Sequence, residues 1–563
     1  MFKGHPKGLY VLALSNMGER FGYYTMLAIF TLFIESKLGI SESQIGQVWG
    51  IFLAAVYALP LIGGFIADRL GYGKVVIVGI VTMFIGYTLL SYPPAGTFLL
   101  FASLFIIALG TGLFKGNMVV LLGNLYEDEK YRKLQDTAFN IYYMGINVGA
   151  FFAPFAATGM RNLFLSFDNF VYDARIPRLA HSFLKDPSSL PAESLNELTQ
   201  IAQTQTGNAT VDLITFCKSY LTSLSAAYNM GFVVAAAAIV VSFFIFISFR
   251  KYFKHADYLH KKSTQSGAKI ELTPKQTKER IIALILVFIT VIFFWMAFHQ
   301  NGLVLTLFAK NYTVGIVSRL NYILFDLPAL ISLIAVIMGI IFLILKSSTA
   351  TRRIIGLILA VVGAIVLYFR YSGFQETHRI DPETFQAFNP IFVVFLTPVV
   401  VSFFGMMMRK GKEISSPKKI GIGMLIAALA YVILVIVSLI GKDGSMLDSP
   451  KHIFDTTKGS VSDVLVSPYW LISTYFTLTI AELFLSPMGL SFVAKVAPPN
   501  LKGLMQGGWL FATALGNYLS GVIAIPYRNW ELWQTFTLLV ITSLISAVFI
   551  FSILKRLESA TKT

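Results

Sequence analysis

About fourteen apolar runs recur along this chain, each long enough to cross roughly 30 Å of hydrocarbon as a helix, and no other feature constrains the fold so tightly. They lie near residues 9–35, 45–67, 75–93, 98–122, 138–159, 228–249, 280–300, 327–346, 354–371, 389–408, 419–440, 468–492, 503–525 and 533–554. A bilayer offers no water to the backbone, so spanning runs of this length have to be helices. Composition agrees: of 563 residues 56% are hydrophobic and 13% charged, far from the balance of a soluble domain. The expected class is all-α, integral to the lipid bilayer, with about fourteen transmembrane helices.

Lysine and arginine set the expected orientation. "MFKGHPK", "RKYFKHADYLHKK", "KSSTATRR", "MRKGKEISSPKK" and "KRLESATKT" fall on one side if the spans alternate. The positive-inside tendency makes that side the cytoplasm, with both termini on it. The net charge of +16 is therefore mainly a topology signal. Its scatter over many loops excludes a nucleic-acid partner, which needs one basic stripe. The first run is of full length and suits a retained span, so the expected location is the plasma membrane, in bacteria the inner membrane.

The opposite side carries the long polar segments, the largest at about 161–226, which reads as a small helical cap over an entrance or as a tolerated insertion. The single cysteine, Cys217, allows no intrachain disulfide. A charged break after the sixth span divides the chain. Residues 1–250 form a six-helix bundle, 251–279 a cytoplasmic linker, 280–326 the first span of a second bundle, 327–371 an extra hairpin and 372–563 the remaining spans. This is the parallel-repeat plan of major facilitator transporters, two six-helix bundles with the substrate site between them. "GGFIADRLGYGK" at 63–74 fits a cytoplasmic gate, where Asp68 pairs with Arg69 and Gly63 and Gly64 allow close helix contact.

Charges inside the spans point to the site. Glu19 and Arg20 lie in span one, Lys115 in span four, His299 in span seven and Glu482 in the run at 468–492. Each full charge costs about 2.5–3.5 kcal/mol at a helix centre, so four unpaired charges cost about 10 kcal/mol. They need partners or a wet cavity. Asn16, Glu19, Arg20 and Tyr23 share one helix face, which predicts an inward polar stripe. A purely structural role, gluing helices together, is the alternative; small residues such as those in "GINVG" at 145–149 do that without charge.

Four blocks carry a resemblance to a known family: "ERFGYYTM" at 19–26, "GTGLFKGN" at 110–117, "FNIYYMGINVGAFFAP" at 139–154 and "ELFLSPMGLSFVAKVAP" at 482–498. "FQAFNP" at 385–390 and "GGWLFATALGNYLSG" at 507–521 support them. In these the chain resembles the proton-dependent oligopeptide transporters of the major facilitator superfamily. The resemblance implies a proton-coupled symporter that imports di- and tripeptides by alternating access, probing its substrate from both halves. Glu19, Arg20 and Lys115 are then the coupling cluster, with His299 and Glu482 as further titratable members. Tyr23, Tyr24 and Tyr57 line the cavity, Asn147 and Asn389 bond peptide backbone, Glu482 receives the amino group, and Trp509 walls a side-chain pocket. A zwitterion needs a cation at one end and an anion at the other, and Lys115 and Glu482 supply them.

Departures from the family pattern qualify this. Asn16 stands where a glutamate is usual, Leu27 where an arginine is common, and His299 where an acid is expected before the glutamine of span seven. His299 titrates near physiological pH when unperturbed and is a candidate to take over proton coupling. The extra hairpin falls after the span of His299 instead of before it. No cofactor beyond the coupling proton and no metal is expected, and a monomer is. An enzyme is the weakest reading, because no metal-ligand cluster and no nucleophile with an adjacent base is present, and "GKV" at 73–75 lacks the Ser or Thr of a phosphate loop. Two other readings stay open: a transporter of the same fold for another small solute, such as nitrate or a peptide-like conjugate, and a non-transporting sensor.

Overall fold

A computed structural model describes residues 4–93, 96–257, 273–345, 348–412, 414–441, 444–451, 465–498 and 501–562, without the side chains at 136, 189, 487, 488, 490, 491, 494, 502, 503, 561 and 562. Most of the linker, the middle of the 441–467 loop and the side chain of Pro487 therefore lie outside the described residues.

Fourteen long helices follow the apolar runs: α1 Lys7–Leu38, α2 Glu42–Leu70, α3 Tyr72–Leu90, α4 Thr97–Asn124, α5 Gln135–Phe167, then two shorter ones, α6 Ile176–Lys185 and α7 Ala192–Thr206, then α8 Leu213–Ser248. The second part has α9 Pro274–Phe298 continued by α10 Val304–Tyr312, α11 Leu327–Ile344, α12 Ala350–Ser372, α13 Phe388–Arg409, α14 Ser416–Ile440, α15 Pro468–Val496, α16 Lys502–Val522 and α17 Leu532–Ser552. Among the described residues eleven helical segments satisfy length and hydropathy for a membrane span. The long helices outside that set are α1, α5 and α15, which are also the helices that carry Arg20, Asn147 and Glu482.

Local chemistry sets the ends. Ser41 with Gln44, and Thr273 with Gln276, make capping boxes at the starts of α2 and α9, and Pro274 sits at the first turn where its missing N–H costs nothing. Gly39 closes α1 at φ 59, a left-handed conformation that glycine adopts without strain. The 161–226 segment is helical, as expected of a cap, and α8 starts at Leu213, earlier than the hydropathy suggests. Asp212 caps it by accepting from the Ile214 N–H at 3.1 Å.

Two groups of helices result. Helix α1 packs on α5 and α8, and α4 on α2 and α3; in the other group α14 packs on α15 and α17, and α9 on α16. The groups meet where α2 lies along α16 and α5 along α13. Hairpin helices α11 and α12 pack chiefly on each other, and leave the hairpin through a two-stranded ribbon, β1 Ile316–Ser318 and β2 Thr377–Arg379, antiparallel with Val317 opposite His378. One face carries the linker ends and both termini, and is called the linker face below. The other carries α6, α7 and the ribbon, and is called the cap face.

Close backbone approach sets the helix spacing. A Cβ on Gly149 of "GINVG" meets the Met17 carbonyl at 2.8 Å, which seats α5 directly on α1. Of the pair in "GGFIAD", Gly63 is pressed against Gly112, whereas Gly64 has nothing within 4 Å and makes no such contact. At the α2–α16 junction a Cβ on Gly521 meets the Gly46 carbonyl and lies 2.9 Å from the Gly50 Cα. Gly521→Val is expected to cost about 1–3 kcal/mol or more, because both obstacles are backbone. Its thermal unfolding midpoint in detergent should fall clearly, while Gly64→Val should leave that midpoint unmoved.

Candidate functional site

A cavity of about 310 Å³ lies between the two groups of helices. From α1 it takes Asn16, Arg20, Tyr23, Tyr24 and Leu27, from α2 Tyr57, from α4 Lys115, and from α5 Tyr142, Tyr143 and Asn147. The second group adds Trp295, His299 and Asn301 near the α9–α10 junction, Gln386 and Asn389 at the start of α13, Glu482 and Ser486 on α15, and Trp509 and Thr513 on α16. The cavity thus gathers residues from eight of the long helices and from the turns that lead into α10 and α13. Every cavity residue expected from the sequence is in it.

Glu19 is not in the lining. Glu19 is at the edge of the expected stripe, about 100° round the helix from Arg20, and packing against the neighbouring helices leaves it outside the cavity that Asn16, Arg20 and Tyr23 line. Glu19 is wholly buried, and Arg20 folds back onto it, Nε to Oε2 at 2.5 Å and Nη2 to Oε1 at 2.6 Å. The guanidinium also lies 4.7 Å from the Tyr23 ring centroid. A bidentate pair of this kind is strong and directional. Arg20 borders the cavity with its charge already neutralised.

Lys115 differs from the expectation of a Glu19–Arg20 partner. Its Nζ stands 3.6 Å from the centroid of the Tyr57 ring, a cation–π contact, and among the described residues it has no ion pair. Glu482 is 8% exposed; Tyr143 donates to its Oε1 at 3.3 Å and Asn389 to its Oε2 at 3.0 Å. One donor comes from each group of helices, so the carboxylate bridges them. Asn389 also donates to Thr479 at 3.0 Å, and Asn147 to the Tyr143 carbonyl at 3.0 Å. The cavity therefore holds one uncommitted ammonium, one carboxylate held only by neutral donors, and amides between.

His299 caps α9 and begins a 3-10 turn, His299–Gly302, that joins α9 to α10. Its ring stacks on Trp295 at 5.1 Å and 23° and meets the Tyr57 ring edge-on at 6.0 Å. Nε2 is buried without a hydrogen-bond partner, as is Nδ2 of Asn16. Trp509 is 4% exposed and packs its ring on Gly489, where a Cβ would overlap it.

Asp68 and Arg69 do not pair. Asp68 accepts from the Tyr72 hydroxyl at 2.7 Å, and the Arg69 guanidinium lies 4.2 Å from the Phe65 ring centroid. As neighbours at the exposed end of α2 they point to different sides, and each finds a local partner instead.

Closure comes from charges that the sequence reading passed over, all on the cap face. Glu35 of α1 accepts from Lys310 of α10 at 2.5 and 2.6 Å. Glu42 at the start of α2 accepts from Arg178 of α6 and, at 2.7 Å, from Arg528. Arg161 near the end of α5 pairs with Glu383 and, at 2.9 Å, with Asp381. Among the described residues, the ion pairs that join the two groups of helices all lie here. Glu35 ends an apolar run and Arg161 and Lys310 lie just beyond the ends of others, where a charge carries little cost, so the argument that located Glu19 and Lys115 does not reach them.

Two helix bundles, a central polar cavity and closure at one face define the class: a membrane transporter of the major facilitator fold. A model of the POT family matches residues 73–277 and 370–532, and the chain belongs to that family. It is 24% identical over 542 residues to dipeptide and tripeptide permease A of Escherichia coli (strain K12), covering 92% of this chain and 85% of that one. The corresponding permease of Citrobacter koseri is 26% identical over 534 residues, with the same coverage. Among solved structures, the peptide transporter POT in complex with sulfate superposes with a TM-score of 0.66 at 20% identity, covering 100% of this chain and 97% of the other. A POT family transporter in complex with 5-aminolevulinic acid gives 0.65 at 20% identity, covering 99% and 98%. The two segments matched by the family model leave out α11 and most of α12, the relocated hairpin.

Proposed function

We propose that the protein is a proton-coupled symporter that imports di- and tripeptides by alternating access. The observation that carries this reading is the cavity's charge arrangement. Lys115 offers an ammonium to a carboxylate, Glu482 offers a carboxylate to an amino group, and Asn147 and Asn389 lie among the groups that can bond peptide amides. The permease relatives support the substrate class. A cavity of about 310 Å³ is at the small end of ligand pockets, which suits a solute of this size. With the basic loops on the linker face, that face is cytoplasmic and the cap face external, in a plasma membrane that in bacteria is the inner one. The closed cap face then makes this the inward-facing state. Glu19, Arg20, Lys115, His299 and Glu482 are the proposed coupling set, Tyr23, Tyr24, Tyr57 and Trp509 the walls, and Asp68 and Arg69 members of the cytoplasmic gate region. The protein works as a monomer and needs no cofactor beyond the proton.

The test is uptake of labelled dialanine into liposomes holding the purified protein, with an inward proton gradient imposed or collapsed. Accumulation only with the gradient is expected; none, in vesicles where a known relative works in parallel, overturns the reading. One proton moving down 100 mV supports about fifty-fold accumulation of a neutral solute. His299→Gln is expected to abolish this accumulation while keeping exchange of labelled for unlabelled peptide, since it removes the titratable group and preserves hydrogen bonding. Undiminished accumulation places the proton on another member of the set. A second reading, transport of another small solute, is favoured by Leu27, which leaves Lys115 as the one cavity cation without an acid partner among the described residues. Uptake of an anion in place of peptide distinguishes it.

A further inference from the structure

Two insertions, one in each half of the chain, meet on the cap face. The first follows α5 and holds α6 and α7; the second is the hairpin α11–α12 with its ribbon and the turn Pro382–Ala387 that leads into α13. Arg379 at the end of β2 donates to Asp173 at 2.7 Å and to the Tyr172 carbonyl at 3.2 Å. Asp173 is 3% exposed and also accepts from Arg175 at 2.7 Å, whose guanidinium reaches on to Glu197 of α7 at 2.7 Å. Below this contact lies the fully buried Arg161, held by Asp381 and Glu383 and lying 3.4 Å from the Tyr172 ring centroid. Asn162 beside it donates to Asp381 at 2.9 Å. A cavity of about 250 Å³, bordered by Tyr172, Asp173, Arg379, Lys310 and Phe385, separates the upper contact from the Glu35–Lys310 pair.

The contacts belong to opposite halves. Asp173 and Arg161 move with the first group of helices, Arg379, Asp381 and Glu383 with the segment that feeds α13. We infer that the two insertions form a strap across the outer mouth, clasped by Arg379 on Asp173 and by Arg161 on Asp381 and Glu383, which must part each time that mouth opens. The inference rests on the alternating-access reading above. The clasp is electrostatic and not a proton switch. Burial would raise the Asp173 carboxyl, but Arg175 and Arg379 outweigh it and hold it at about 2. Stability from a carboxyl held this low is present above its unfolded value of about 3.9 and lost as pH falls toward 2, so the clasp stays charged at physiological pH. Glu197, the other acid facing Arg175, leaves that balance in place.

Asn162→Cys with Asp381→Cys, in a Cys217→Ser background, tests the strap, because those two side chains already touch across the halves. Oxidation should form a disulfide, seen by mass spectrometry, and bring peptide uptake to background; reduction should restore it in the same protein, which controls for folding. A second readout does not require peptide transport. With Ala309→Cys, at a residue that also borders the 250 Å³ cavity, Arg379→Gln should raise labelling by a membrane-impermeant maleimide about two- to fivefold, the worth of a half-exposed ion pair. Failure of both forms to take up peptide, with that labelling still raised, would sink the substrate reading and keep the strap. Failure of the cysteines to oxidise, undiminished uptake when oxidised, or unchanged labelling would each overturn the strap.

Discussion

Glu482→Gln is expected to lower peptide uptake on the order of 100-fold while leaving the fold intact. The carboxylate is the only acid lining the cavity among the described residues, and its contacts there are to neutral donors, Tyr143 and Asn389. It is buried without a cationic partner, an arrangement that costs free energy unless a cation arrives. A substrate amino group is that cation. Glutamine keeps the shape but lacks the charge; its carbonyl can accept from Asn389 and its amide nitrogen can donate to the Tyr143 hydroxyl oxygen, so the packing is kept while the anion is lost. Losing one partner of a buried charged contact costs about 2–5 kcal/mol, and 100-fold lies within that range. Uptake of labelled dialanine at saturating proton gradient measures it, with tryptophan fluorescence melting as the control for folding. Uptake within about twofold of wild type would remove Glu482 from the amino-group site, because the charge would then contribute less than an exposed pair does.

The sequence made the membrane helices and most of the cavity legible, and the reason is cost. Apolar length is forced by the bilayer, so the fourteen runs coincide with helices to within a turn or two at most ends; and a charge in such a run is expensive enough to mark a site, as Arg20, Lys115 and Glu482 do. Partnership was less legible. Whether Lys115 meets Glu19 or the Tyr57 ring depends on helix rotation and side-chain reach across α1, α2 and α4, which spacing along one helix does not encode. Tyr143 is the sharpest omission. It sits in "NIYYMG" beside Tyr142, both line the cavity, and only the approach of α15 singles out the one that reaches Glu482. The cap-face closure was missed for a different reason. Glu35, Glu42, Lys310 and Arg161 lie at helix ends, where a charge is ordinary, and their value comes from pairing with segments up to several hundred residues away.

Glu19 poses the opposite case, a charge whose first duty is to another charge. Glu19→Ala is expected to destabilise the protein by about 3–5 kcal/mol, because it strands the buried Arg20 guanidinium with the Tyr23 ring as its remaining electrostatic neighbour. The yield of folded protein in membranes should collapse and the melting midpoint in detergent should fall steeply. Replacing both members, Glu19→Gln with Arg20→Met, removes the stranded charge and should recover most of that loss, since a buried pair is often matched by neutral residues of similar volume. The double variant then separates two roles that the single one confounds. If the pair only fixes α1 against its neighbours, the refolded double variant should accumulate peptide normally under a proton gradient. If Arg20 at the cavity wall releases Glu19 when substrate or a proton arrives, the double variant should fold, bind and exchange peptide, yet lose gradient-driven accumulation. The second outcome is expected, because Glu19 is sealed behind the wall while Arg20 borders the cavity, so the guanidinium is the one group that both the acid and an incoming carboxylate can claim.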